Sequence, residues 1–297
     1  MAFSLRHHKS VSKDIKRIIR RLMDDALAAL ASEKCDVVHD VRVHFKKVRA
    51  CLRLVRGVLG DKLYTYENHC FRDAAKALVK VRDAEILIET LDRLVGRFPG
   101  RLAAEDVSAI RKTLQERHQA MCEQVLVDEH AFAVINGMVQ DARDRLKNWR
   151  MKRKGWTALH DALRRGYRGN RRAFAQAKRR PTTEILHEWR KQAKYLWYQL
   201  LVLETAWPAG VKAWDKAFHK LTQALGNDHD LAVLRLTLTT DSGTFGKIID
   251  TLLPLIDRRR GELQKQAFAL GSRLYRDKPG AFLHRLEKHW KRRRKNK

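Results

Sequence analysis

Residues Val38 to Leu59 read VHDVRVHFKKVRACLRLVRGVL and carry two helical stripes at once. Val38, Val41, Phe45, Val48, Leu52, Val55 and Leu59 recur at alternating steps of three and four, the spacing of one apolar helix face. One residue further on, His39, Arg42, Lys46, Arg49, Arg53 and Arg56 keep the same rhythm. A basic row roughly 25 Å long therefore runs beside a seam that belongs in a core. Like charges stacked at these spacings oppose the helix by a few tenths of a kcal/mol per pair. Only Asp40 is at hand within the stretch to neutralise them, so an anion from outside the helix is expected.

The rest of the chain is basic in the same sense. Its 297 residues contain 63 Lys and Arg against 34 Asp and Glu, a net charge of +29, while 44% of residues are hydrophobic. That composition fits a folded protein rather than a basic tail, with an anionic, multivalent partner such as nucleic acid, an anionic membrane surface or a phosphate polymer. Cys35, Cys51, Cys70 and Cys122 lie far apart with no CxxC spacing and are expected to be reduced core residues. The N-terminus lacks the apolar region of a secretory signal and no run of 18 apolar residues occurs, so a cytoplasmic location without membrane insertion is expected.

Helix follows helix along the chain. Ser12 is placed to cap a first helix through about Ala31, with Ile15, Ile18, Ile19 and Leu22 inward and Lys13, Arg17 and Arg20 on its basic side. Gly57 and Gly60 stop the basic-striped helix. One amphipathic run is expected from Leu63 to Leu94, ending before the turn at Arg97-Phe98-Pro99-Gly100. Another covers Leu102 to about Lys154, with a candidate break near Asp128.

From Gly155 the pattern returns. Trp156 to Ala177 carries Arg164, Arg168 and Arg172, matching the basic first helix, and Thr182 or Thr183 caps a helix after Pro181. In ILHEWRKQAKYLWYQLLVL, His187, Glu188, Arg190 and Lys194 fall on His39, Asp40, Arg42 and Lys46 at a constant offset of 148. Leu225-Gly226-Asn227-Asp228-His229-Asp230-Leu231 resembles the stretch around Arg82-Asp83, at an offset of 145. Two matches in the same order indicate internal duplication: a first helical bundle over 1–154 and a second over 155–297, related by an approximate two-fold.

A His-acidic-x-Arg-x-x-x-Lys helix in each half, HDVRVHFKK and LHEWRKQAKYLWY, followed by the LGNDHDL element, resembles the conserved histidine α-helical domain, CHAD. The likeness spans nearly the whole chain. It implies an all-α fold of two four-helix bundles around a basic central cleft or pore, and binding of inorganic polyphosphate, free or in granules. One departure stands out: where the first helix has Arg49 and Arg53, the second has Trp197 and Leu201, so its basic row is shorter.

The residues point the same way. A flexible polyanion without bases or sugars asks only for guanidinium and ammonium groups at repeating spacing, Arg as a planar fork and Lys as a point charge. Expected contacts are His39, Arg42, Lys46, Arg49 and Arg53 from one half and His187, Arg190 and Lys194 from the other. Lys13, Arg17, Arg20, Arg164, Arg168 and Arg172 are expected in support. His39 and His187, near helix starts, are expected to donate from both ring nitrogens once protonated. Asp83, Asp228 and Asp230 are read as caps or salt-bridge partners.

No cofactor or metal is expected, and the protein is read as a binder, not an enzyme. His39-Asp40, with His7, His8 and Asp228, superficially resembles an HD-type metal phosphohydrolase, but the surrounding Arg and Lys would repel a cation. No Walker loop, GxSxG or CxxC occurs. The alternative is single-stranded nucleic acid, with Trp197, Tyr195 and Tyr198 as stacking platforms. Membrane binding is disfavoured because the apolar faces are committed to bundles.

Overall fold

The computed structural model describes residues 3–6, 10–128, 130–151 and 155–295, and among these no strand occurs. Twelve α-helices follow one another: α1 (Val11–Leu30), α2 (Val38–Leu59), α3 (Asp61–Ala77), α4 (Val79–Arg97), α5 (Ala104–Cys122), α6 (Ala131–Leu146), α7 (His160–Arg179), α8 (Thr183–Val202), α9 (Pro208–Thr240), the short α10 (Ser242–Phe245), α11 (Ile248–Leu274) and α12 (Pro279–Lys295). No helix among the described residues is long and apolar enough to cross a membrane.

The helices close into two rings of four. In the first, α2 packs on α1 and α3, and α6 closes the ring against both. In the second, α8 packs on α7 and α9, and α11 closes it. The rings meet where α2 lies against α8 and α7, while α4 bridges them by touching α2, α3, α9 and α11.

Periodicity explains each element. Ile15, Ile18, Ile19, Leu22 and Met23 of α1, and Val38, Val41, Phe45, Val48, Leu52, Val55 and Leu59 of α2, are all buried, as the three-four spacing requires. Gly60, at φ +92°, ends α2 in a conformation that a Cβ would oppose. Thr182 caps α8 by accepting the Ile185 amide through its Oγ1. The second ring is fixed by Trp189, fully buried, whose Nε1 donates to the Tyr275 hydroxyl at 3.3 Å; that hydroxyl in turn donates to Asn170 Oδ1 at 3.0 Å. Gly271 permits the approach, because a Cβ there would sit 2.7 Å from Trp189 and 2.6 Å from Phe174.

Four sequence expectations change. The run from Leu63 to Leu94 is two helices, broken at Leu78 (φ −96°, ψ 9°) with no Gly or Pro to announce it. The run from Leu102 ends at Leu146 rather than near Lys154, and its expected break near Asp128 coincides with a wider π-helical turn over Glu123–Asp128. Cys35 and Cys122 are joined in a disulfide, correcting the reading of four reduced cysteines; the short helical turn before α2 brings their Cα atoms to 6.1 Å, inside the range a disulfide spans. Cys51 and Cys70 are free. First-helix capping also differs: α1 starts at Val11 after Ser10, with no side-chain cap. His7 and His8 lie outside the described residues.

Candidate functional site

The α2–α8 contact brings four cations together. On α2, Arg42 and Lys46 are one turn apart; on α8, Arg190 and Lys194 repeat that spacing, and all four are half-buried. Arg82 of α4 joins them, close enough to depress both lysines electrostatically. Among the described residues none of Arg42, Lys46, Arg190 or Lys194 has a carboxylate within ion-pair distance. Arg42 has one hydrogen bond, from Nη1 to the Ala75 carbonyl, and its Nε, like that of Arg190, is buried without a partner.

Electrostatics registers the crowding. Burial, then Lys194, Arg42 and Arg190, push Lys46 down to about 7. Burial, then Arg190, push Lys194 down to about 8. Burial also lowers Arg42 and Arg190, partly offset by Asp83 and Asp230 respectively. Those two carboxylates, themselves raised by burial, are the local counter-charge.

The other cations of this region are paired. Arg82 binds Glu85 at 2.7 Å and Glu89 at 2.8 Å, and Arg93 reaches Asp230 at 3.6 Å. Arg260 holds the fully buried Asp228 at 3.1 Å, with Gln264 on the same oxygen at 2.9 Å. A cavity of about 320 Å³ between α4, α9 and α11 is lined by Arg93, Arg97, Arg259 and Asn227. Arg97 and Arg259 both pair with Glu262, so that cavity is largely charge-compensated.

Gly226 of the LGNDHDL element has a steric role. A Cβ there would lie 3.3 Å from both Nε and Nη2 of Arg190, so the glycine leaves room for the guanidinium to rest on α9. Further along, Arg53 stacks on Tyr195 of α8, its Cζ 4.1 Å from the ring centroid, with Arg49 at 6.0 Å. Arg49 Nε also donates to Asn68 Oδ1 at 3.1 Å.

The expected residues therefore divide. Arg42, Lys46, Arg190 and Lys194 converge, and Arg49 and Arg53 continue the row over Tyr195. His39 is exposed and within electrostatic reach of Lys46 and Arg82. His187 packs on His229, ring centroids 4.4 Å apart. Burial lowers His39, and burial with His229 and Arg190 pushes His187 down to about 4, so an added proton is disfavoured on both rings and His187 is neutral at pH 7 in the free protein. Doubly protonated imidazoles are thus not its resting state.

Of the supporting set, Lys13, Arg20, Arg164, Arg168 and Arg172 are exposed on α1 and α7. Arg17 is engaged with Asp14 and the Ser4 carbonyl. None of these six is tied to the central group by a contact among the described residues. Trp197 is not a free stacking platform: its Nε1 donates to Asp215 at 2.8 Å and its ring stacks on Tyr198. The residues that sequence reasoning missed are Arg82, His229 and Gly226; all sit in the two elements matched at offset 145.

A profile of the CHAD domain family matches residues 14–239. The fold is thus that of an all-α CHAD domain. The chain belongs to the CHAD domain family. Among solved structures it is similar to the CHAD domain of the plant Ricinus communis, at 15% identity and a TM-score of 0.59, over 97% of this chain and 95% of the other. It is also similar to PptA from Streptomyces chartreusis, at 14% identity and a TM-score of 0.58, over 95% of this chain and 99% of that one. No curated protein sequence matches it.

Proposed function

We propose that the protein binds inorganic polyphosphate without transforming it, through the cations gathered where α2 faces α8. The observation that carries the reading is four half-buried cations, Arg42, Lys46, Arg190 and Lys194, without an ion-pair partner among the described residues. Two of them are lysines with depressed pKa values. Such a group is costly without a counterion and calls for a ligand dense in negative charge. Membership of the CHAD family supports a phosphate polymer as that ligand.

Each guanidinium can grip two phosphate oxygens, and each ammonium can sit against the repeating charge of the chain. Arg49 and Arg53 extend the track along α2 over Tyr195. Of the aromatic residues expected as stacking platforms beside it, Trp197 is engaged with Asp215 and Tyr195 is covered by Arg53. The buried carboxylates stand against cations: Asp228 against Arg260, Asp230 near Arg93 and Arg190, which supports binding over metal-assisted hydrolysis.

The test is direct competition between long-chain polyphosphate and single-stranded RNA of equal charge, read by fluorescence anisotropy at physiological salt. Preferential displacement by polyphosphate is expected, with no orthophosphate released when divalent cations are added. Tighter RNA binding would refute the ligand, and metal-dependent orthophosphate release would refute the passive role.

A further inference from the structure

Cys35, His118 and Cys122 form a cluster that the cationic group does not use. Cys35 opens the short turn leading into α2, four residues before His39. His118 and Cys122 are four apart at the end of α5 and so share one helix face. The imidazole Nε2 stands 3.5 Å from Cys122 Sγ and 4.0 Å from Cys35 Sγ.

We propose that these three residues are a thiol-gated site for a soft divalent cation such as Zn²⁺, and that the disulfide is its oxidised, metal-free state. Zn–N bonds of about 2.0 Å and Zn–S bonds of about 2.3 Å at tetrahedral angles set N and S ligands about 3.6 Å apart. His118 Nε2 already stands at that spacing from Cys122 Sγ, at 3.5 Å, and needs to close only about 0.4 Å on Cys35 Sγ, at 4.0 Å. Once reduced, the sulfurs need separate only to about 3.8 Å for the same geometry. A disulfide that serves only as a staple has no need of an imidazole aimed at both sulfurs.

The surroundings suit the exchange. Cys122 is buried, whereas Cys35 and His118 are half-exposed, which leaves an entry path and a fourth position for water. The π-helical turn Glu123–Asp128 begins immediately after Cys122, and such turns are frequent at functional sites. Two thiolates neutralise a dication, so loading adds nothing to a chain already at +29. Binding releases two thiol protons. Oxidation by a peroxide balances as one Zn²⁺ bound by two thiolates, one H₂O₂ and two protons giving one disulfide, two waters and free Zn²⁺. In both states the turn before α2 stays tied to α5, so one clamp replaces another. Cys51 is fully buried and Cys70 lies against Arg145 and Met138, so neither shares the cluster.

The full chain, reduced under anaerobic conditions, is titrated with Co²⁺ as the spectroscopic probe. One Co²⁺ per chain is expected, with a thiolate-to-cobalt charge-transfer band and the intense visible bands of a tetrahedral site, displaced by Zn²⁺. Hydrogen peroxide should discharge the metal and lower the titratable thiols from four to two. Cys35→Ser and Cys122→Ser should abolish the bands, and Cys51→Ser should leave them. Should either serine variant fold poorly, His118→Ala with the wild-type thiol count reads the same site, and the bands should collapse there. Absence of tetrahedral bands in the reduced wild type, their persistence in Cys35→Ser or His118→Ala, or retention of metal after peroxide would overturn the proposal.

Discussion

Raising the pH should weaken polyphosphate binding and stabilise the unliganded protein at the same time. Lys46 is pushed down to about 7 and Lys194 to about 8, and the two titrate as a coupled pair. A polyanion laid across them restores both toward the ordinary lysine value of about 10.4. Each lysine that takes up a proton on binding costs about a factor of ten in affinity per pH unit above its free-state value. Between about pH 6 and pH 9 the window is about two units for Lys46 and one for Lys194, so affinity should fall about a thousandfold, or about 4 kcal/mol. Long chains are the ligand of choice because their interior phosphates stay ionised throughout.

Stability runs the other way. The folded-state values lie below the unfolded one, so between about pH 7 and 10 the unfolded chain binds more protons and the free fold gains stability as pH rises. Calorimetry at about pH 8.5 in buffers of different ionisation enthalpy should record roughly one to two protons taken up per site. Affinity that stays flat from pH 6 to 9, or uptake near zero, would refute the placement of these lysines in the binding site.

Further outcomes follow from the same geometry. Arg42→Glu with Arg190→Glu breaks no ion pair found among the described residues; it should lower polyphosphate affinity at least about a hundredfold, at about 1.5 kcal/mol or more per charged hydrogen-bonding group, with the circular-dichroism helix signal retained. With about six phosphate contacts, the four central cations plus Arg49 and Arg53, log affinity should fall with log salt at a slope of about −4, measured by anisotropy across a salt series. Gly226→Ala should move Arg190 by a few tenths of an ångström and weaken binding several-fold with little change in melting temperature. Asp228→Ala should strip Arg260 and Gln264 of their shared acceptor and cost roughly 3–5 kcal/mol in denaturant unfolding, while Asp228→Asn should lose less.

The fold was legible wherever the apolar period was strong. The α2 and α8 seams bury the residues the spacing selects, and Pro181-Thr182 opens α8 where the capping chemistry puts it. The break at Leu78 was not legible: Leu78 is itself buried, so the residue that ends one helix also continues the apolar pattern. The Cys35–Cys122 disulfide was invisible for a different reason. It depends on α5 folding back along the first half, and 87 residues of separation carry no spacing signal.

The site divides along the same line. Periodicity placed Arg42, Lys46, Arg190 and Lys194 beside buried seams, so packing those seams brings the cations together almost of necessity. It said nothing of the third direction: Arg82 comes from α4, and Gly226 from α9, and only the packing of those helices decides which group each meets. The exposed arginines of α7 show the converse, since matching the basic pattern of α1 did not commit them to the centre.

That distinction also explains how the protein tolerates its own charge. The apolar faces of α2 and α8 hold four cations closer than water alone would leave them, and Asp83 and Asp230 stop short of pairing with them. Full neutralisation by carboxylates, as at Arg82, Arg93 and Arg97, would leave nothing for a ligand to do. Without it, the free site relieves repulsion in the one way open to it, by letting protons leave Lys46 and Lys194. A polyanion that returns those protons removes the repulsion as it binds, so in the proposed reading the core's packing energy is what keeps the site incomplete until ligand arrives.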